Sequence, residues 1–148
     1  MDFTTSAREA FTIVGIAART SNSEGGRIAA LWQRFYAEGI QQRIPDRLSD
    51  DVYSLYTDYE SDHTGPFTLV IGCAVSKAEA LPDGLVAKAV PAAKYAVIDA
   101  TGPQPDTVMQ QWQAIWASDL PRSYSGDFDL YRNRKGETPR VEIHVAIR

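Results

Sequence analysis

The chain changes hydrophobic period several times, and each change marks an element. Residues 11–20 (FTIVGIAART) are rich in β-branched side chains and of strand length, and the following SNSEGG has the turn chemistry that ends a strand. From Ile28 the period becomes helical. Ile28, Leu31, Trp32, Phe35 and Tyr36 fall at i, i+3, i+4, i+7 and i+8 and make one apolar stripe, with Arg27, Gln33, Arg34 and Glu38 mostly elsewhere. Gly39 and Pro45 mark the end of this helix. Residues 52–59 (VYSLYTDY) and 67–75 (FTLVIGCAV) then read as two strands of a hairpin, joined by the loop-forming ESDHTGP.

Residues 76–84 (SKAEALPDG) read as a surface connection, after which the same order returns. A strand is expected within residues 85–100, a helix from about 106 to 118, then strands at 128–132 and 141–147. In the second helix Val108, Trp112, Ile115, Trp116 and Leu120 recur at helical spacing, while Gln110, Gln111 and Gln113 point away. Gly102, Pro103 and Pro105 precede it. Each half therefore reads β-α-β-β, and each amphipathic helix needs a sheet face to cover. The expected fold class is α+β: one domain over residues 1–148, with pseudo-repeats at about 1–80 and 81–148. The duplicated units join into one antiparallel sheet of about eight strands, with two main helices on one side and a central cleft between them.

Composition narrows the function classes. The 148 residues are 44% hydrophobic and 23% charged, as in an ordinary globular domain. A formal net charge of -4 and a pI near 5.1 argue against direct nucleic-acid binding and mildly favour cationic ligands, although ordinary solubility asks for as much. No run suits a signal peptide or a membrane span. The single cysteine, Cys73, makes no intramolecular disulfide and fits a reducing cytoplasm. Its strand neighbours Ile71 and Val75 suggest a buried, unreactive thiol. No metal or other cofactor is expected: DYESDH lacks calcium-loop spacing, and there is no nucleophile elbow, phosphate-binding glycine loop or helical zinc motif.

The last hairpin carries the candidate chemistry. Val141, Ile143, Val145 and Ile147 alternate with Glu142, His144 and Ala146, and Phe128 and Leu130 alternate with Asp129 and Tyr131. If the two apolar sets share a face, Asp129, Tyr131, Glu142 and His144 form an acidic and aromatic face, which lines a pocket or meets solvent. Trp32, Phe35, Tyr36, Tyr53, Tyr56, Tyr59, Trp112 and Trp116 lie on elements that should meet near the centre. They suit either a core or the walls of a site for flat organic cations.

On IAALWQRFY, YTDYESDHTGPFTLVIGCAV, DFDLY and VEIHVAI, the chain resembles the gyrase-inhibitor-like, AraC-type effector-binding domains, especially the stand-alone form found on integron cassettes. The resemblance covers nearly the whole chain. It implies a pocket between two halves that binds drugs or signals, in a fold that often serves as the sensor of a transcription regulator. It puts the pocket acid at Glu142, a second acid at Asp129, and His144 where an aromatic is common. The ligand-binding set expected is then Glu142, Asp129, His144, Tyr131, Trp32, Phe35, Tyr56, Trp112 and Trp116. The leading function is non-catalytic binding of a small lipophilic ligand, cationic or aromatic. One alternative is hydrolysis of a reactive electrophile by pocket carboxylates, as in some relatives. Another is a protein-interaction module that meets a separate regulator protein or a second copy in a homodimer.

Overall fold

The computed structural model describes residues 1–132 and 136–148. Its strands are β1 (Thr4–Arg8), β2 (Phe11–Thr20), β3 (Val52–Thr57), β4 (Phe67–Val75), β5 (Val86–Val90), β6 (Ala93–Asp99), β7 (Asp127–Arg132) and β8 (Arg140–Ile147). The helices are α1 (Gly25–Ala37), the short α2 (Ile40–Arg43) and α3 (Asp106–Trp116). All eight strands form one antiparallel sheet in the order β1-β6-β8-β7-β3-β4-β2-β5. The expected α+β class and eight-stranded antiparallel sheet are therefore observed. The order is palindromic about the β7–β3 pair: β6-β8-β7 on one side answers β2-β4-β3 on the other.

Two elements differ from expectation. Residues 85–100 hold two strands, because Pro91 and Ala92 interrupt the run between β5 and β6. The TTSAR strand β1 has no apolar alternation to announce it, since it is an exposed margin of the sheet. These two strands exchange places. β1 leads into β2 but pairs with β6, and β5 leads into β6 but pairs with β2.

That exchange sets the shape of the sheet. Only Glu9 and Ala10 separate β1 from β2, and only Pro91 and Ala92 separate β5 from β6, yet each pair lies six places apart in the strand order. Six strand spacings amount to roughly 29 Å in a flat sheet. Three Cα steps reach at most about 11 Å. The sheet must therefore roll until its margins approach. Inside the roll is one cluster drawn from seven strands and no helix, including Ile13, Tyr53, Leu55, Val70, Tyr95, Phe128 and Leu130. Arg8 closes it from β1, its guanidinium 4.6 Å from the Phe11 ring centroid and 5.2 Å from that of Phe128.

The outer face diverges instead of converging, so its apolar residues divide into two clusters, one under each long helix. Leu31 and Phe35 of α1 pack with Ile16, Leu69, Ile71 and Cys73, while Val108, Trp112 and Ile115 of α3 pack with Ile98, Val141, Ile143 and Val145. Tyr56 and Tyr131 touch both clusters across the gap. Both faces of the inner strands of the sheet are thus buried.

Gly15 of β2 stands directly opposite Gly72 of β4. A Cβ at Gly15 would collide with the Ile71 carbonyl oxygen, and one at Gly72 with the Val14 carbonyl oxygen. Backbone obstacles cannot rotate away. Gly15→Ala and Gly72→Ala are each expected to cost about 2 to 3 kcal/mol or more in urea denaturation. A loss under about 1 kcal/mol would mean that the strands separate without penalty.

Candidate ligand-binding site

The gap between the two outer clusters is a cavity of about 560 Å³. Each helix supplies both core and wall, because its apolar stripe is wider than its contact with the sheet. On α1, Leu31 and Phe35 go down into the core, while Trp32 and Tyr36 stand on the flank facing the gap. On α3, Trp112 spans core and cavity, and Trp116 extends the wall by one turn. From below come Tyr56, Tyr59 and Tyr131. These rings brace one another: Trp32 lies edge-on to Tyr131 at 5.2 Å, Tyr56 edge-on to Trp112 at 5.2 Å, and Trp112 is 6.4 Å from Trp116. At one end His63, from the β3–β4 loop, stacks on Trp116 at 5.7 Å.

The polar floor is built by β7. Asp127 and Asp129 alternate onto the same face, and both are buried. Their surroundings differ. Asp127 accepts hydrogen bonds from the Tyr59 hydroxyl (2.6 Å), Arg122 Nη2 (2.7 Å) and the Ala146 backbone N–H (2.7 Å). Asp129 accepts from the Tyr56 hydroxyl (2.7 Å) and Trp112 Nε1 (2.8 Å) and has no basic partner among the described residues. Burial pushes the Asp129 carboxyl up to about 7; the two hydrogen bonds oppose this rise, and Asp127 adds to it. Asp129 is therefore poised between its two protonation states near neutrality, against the indole and phenol edges that wall the cavity.

Six of the residues expected from sequence line this cavity: Asp129, Tyr131, Trp32, Tyr56, Trp112 and Trp116. Three do not. Phe35 is core, 1% exposed. Glu142 and His144 face the other way. The register pairs Asp129 with Ile143 and Tyr131 with Val141, so the acid and the tyrosine share a face with the apolar residues of β8. The expected joint face of Asp129, Tyr131, Glu142 and His144 does not form. Glu142 is held by Arg132 Nε (3.0 Å) and Arg140 Nη2 (3.3 Å). His144 stacks on Phe128 at 4.6 Å inside the roll, where desolvation pushes it down to about 4 and leaves it neutral at pH 7. The condition for that joint face, that the apolar sets of the two strands share a face, is not met, because both faces of β7 and β8 are buried.

Arg122 and Tyr59, absent from the expected set, line the cavity. Tyr59 was visible as an aromatic beside the strand; Arg122 lies between elements, where no periodicity singles it out. Cys73 is buried, its thiol pushed up to about 11 by desolvation. Among the described residues, no group of three or more His, Cys, Asp or Glu could hold a metal ion, and no helix is long and apolar enough to cross a membrane.

The family model for Cass2, integron-associated effector binding protein, matches residues 6–147. The chain belongs to this family. An integron cassette protein of this family from Vibrio cholerae has the same fold, with a TM-score of 0.75 and 30% identity over 99% of this chain and 95% of that one. YobU of Bacillus subtilis, whose name marks it as a candidate transcriptional regulator, is 31% identical over 90% of this chain and 88% of its own length. The transcriptional regulator BrlR of Pseudomonas aeruginosa is 30% identical over 95% of this chain, which spans 53% of that protein. The structure of SAV2435 bound to tetraphenylphosphonium shares the fold, with a TM-score of 0.81 and 21% identity over 100% of this chain and 94% of that one.

The raised pKa of Asp129 fixes the sign of a stability effect. Its unfolded carboxyl ionises near pH 4, whereas the folded one ionises near pH 7. The folded state is favoured at low pH by holding the proton, and this contribution is lost as pH rises to about 7. His144 acts in the opposite sense, since its depressed value costs stability in acid. The comparison with Asp129→Asn isolates the first effect. Relative to wild type, the variant should gain stability between about pH 4 and pH 7, by at most about 4 kcal/mol, in urea titrations at stepped pH. A constant difference across that range would contradict the burial-shifted carboxyl.

Proposed function

We propose that the cavity binds a small lipophilic cation without transforming it, with Asp129 as the charge-selecting group. The observation that carries this reading is a buried carboxyl with no basic partner among the described residues, set against electron-rich rings at the floor of an apolar cavity. A cation above an aromatic face gains about 0.5 to 2 kcal/mol. The hydrogen bonds from Trp112 and Tyr56 hold the Asp129 charge at the polar edges of two of those rings, where low dielectric strengthens its attraction for a cation. The tetraphenylphosphonium bound to the fold neighbour SAV2435 is a ligand of this chemical class. A cytoplasmic role fits the single thiol, and the ligand-bound state would be read by a regulator protein or a second copy.

One observation favours a second reading. A carboxyl that titrates near 7 suits general acid-base catalysis, so Asp129 could protonate the leaving group of a reactive electrophile. Binding and catalysis want opposite protonation states. Cation affinity requires ionised Asp129 and should fall about tenfold from pH 8 to pH 6, accompanied by proton release on binding. Hydrolysis by the acid form would strengthen over the same interval.

The test is calorimetry with tetraphenylphosphonium, supported by quenching of Trp32, Trp112 and Trp116 fluorescence. At pH 8, Asp129→Asn should weaken binding about tenfold to a hundredfold, the loss of a charge-assisted contact. Glu142→Gln, on the other face of β8, should change it less than about twofold. Equal losses in both variants, or no dependence on pH, would remove Asp129 from the selecting role.

A further inference from the structure

Within residues 60–66 of the β3–β4 loop, His63 is the one side chain turned toward the protein. Glu60, Ser61, Asp62, Thr64 and Pro66 around it are exposed, whereas His63 is half-buried and lines one end of the cavity beside Trp116. Its imidazole lies parallel to the Trp116 indole, with 7° between the planes and 5.7 Å between the centroids. A loop from the first half of the chain thereby reaches onto α3 in the second half.

The loop does not depend on this stack. Asn22 Nδ2 donates to the His63 carbonyl oxygen at 2.8 Å, Glu60 N–H to Pro66 O at 3.0 Å, and Gly65 N–H to Asp62 O at 3.2 Å. The Asp62 carboxylate accepts from the backbone N–H and the hydroxyl of Thr64. None of these bonds uses the imidazole, whose nitrogens have no hydrogen-bond partner among the described residues. The ring can therefore leave Trp116 by rotating about its own side-chain bonds, with the loop backbone unchanged. What is lost is one aromatic pair, a contact that weighs about threefold to tenfold in an equilibrium. An aryl ring is the better cover for the same indole face, because it takes more apolar surface out of water than an imidazole does and returns the polar ring to solvent.

We propose that the Trp116 face is an aryl subsite that His63 fills in the free protein, so that His63 sets the size class of the ligand. Cations with several aryl arms take the subsite by displacing the imidazole; single-ring cations bind with it in place. This rests on the ligand-binding reading above and assigns a place to one arm of the ligand, apart from the charge at Asp129.

The experiment measures the affinities of tetraphenylphosphonium, the uncharged triphenylphosphine oxide and the single-ring cation phenyltrimethylammonium at pH 8, above the titration range of free imidazole. His63→Ala empties the subsite and should tighten both aryl-rich ligands about threefold to tenfold, while phenyltrimethylammonium changes less than about twofold. His63→Phe keeps a ring over Trp116 and should give no such gain. In the wild type the His63 ring protons, identified by their absence from the spectrum of His63→Phe, should lie upfield under the Trp116 ring current. They should return to the position of an exposed histidine on saturation with tetraphenylphosphonium. Unchanged or weaker binding of the aryl-rich ligands in His63→Ala, an equal gain in His63→Phe, or an upfield shift that persists at saturation would each overturn the proposal. If triphenylphosphine oxide alone binds and gains in His63→Ala, cation selection fails and the subsite stands. If tetraphenylphosphonium binds with no gain and His63 does not move, the subsite fails and cation selection stands; if neither binds, both fall.

Discussion

Two residues of chain, Glu9 and Ala10 at one place and Pro91 and Ala92 at the other, must bridge strands six places apart in the sheet, and the rest of the structure follows from that shortage. The margins come together, so the inner face compresses into one core with no helix in it. The outer face spreads, and each long helix covers only its own half. What remains between the halves is apolar surface that neither helix can reach. The cavity is thus a consequence of curvature, and close packing within each cluster is what keeps it from collapsing.

The central β3–β7 pairing decides what lies at the floor of that gap. Its register sets Ser54 opposite Asp129 and Tyr56 opposite Asp127, so hydroxyl, phenol and two carboxylates share one face at the junction. Of these two carboxylates, one is neutralised by Arg122 and the other, among the described residues, is bonded only to aromatic donors. This asymmetry gives the floor its chemistry. Asp127 with Arg122 is a closed pair whose charges cancel, while Asp129 has no basic partner among the described residues and burial resists its charge. A ligand that completes Asp129 would remove a cost already present in the free protein, the sense in which a site is prepared in advance.

Membership in an effector-binding family agrees with such a cavity. The aromatic walls supply adaptable contact area, since rings accept many flat or propeller-shaped partners. On the proposed reading, Asp129 at the floor would restrict which of those partners are held. The cavity and its floor draw on both halves of the chain, so occupation would couple α1 to α3 through Tyr56 and Tyr131, which touch both helical clusters.

The sequence by itself determined the elements and their duplication. Helical and strand periods are local properties, and Trp32, Tyr56, Trp112, Trp116, Tyr131 and Asp129 could be placed on the right elements because each sits at a readable offset within one of them. Register and curvature are not local. The side-chain period of a strand is two, so alternation divides β8 into Glu142, His144 and Ala146 against Val141, Ile143 and Val145, but it does not say which set meets Asp129. The usual guide, one apolar face turned inward, fails where a rolled sheet buries both faces. Only the tertiary structure could put Asp129 beneath the helices and send Glu142 and His144 to the other side. The same holds for Arg122, whose role comes from a loop pinned to the end of β8, a contact that no pattern along the chain encodes.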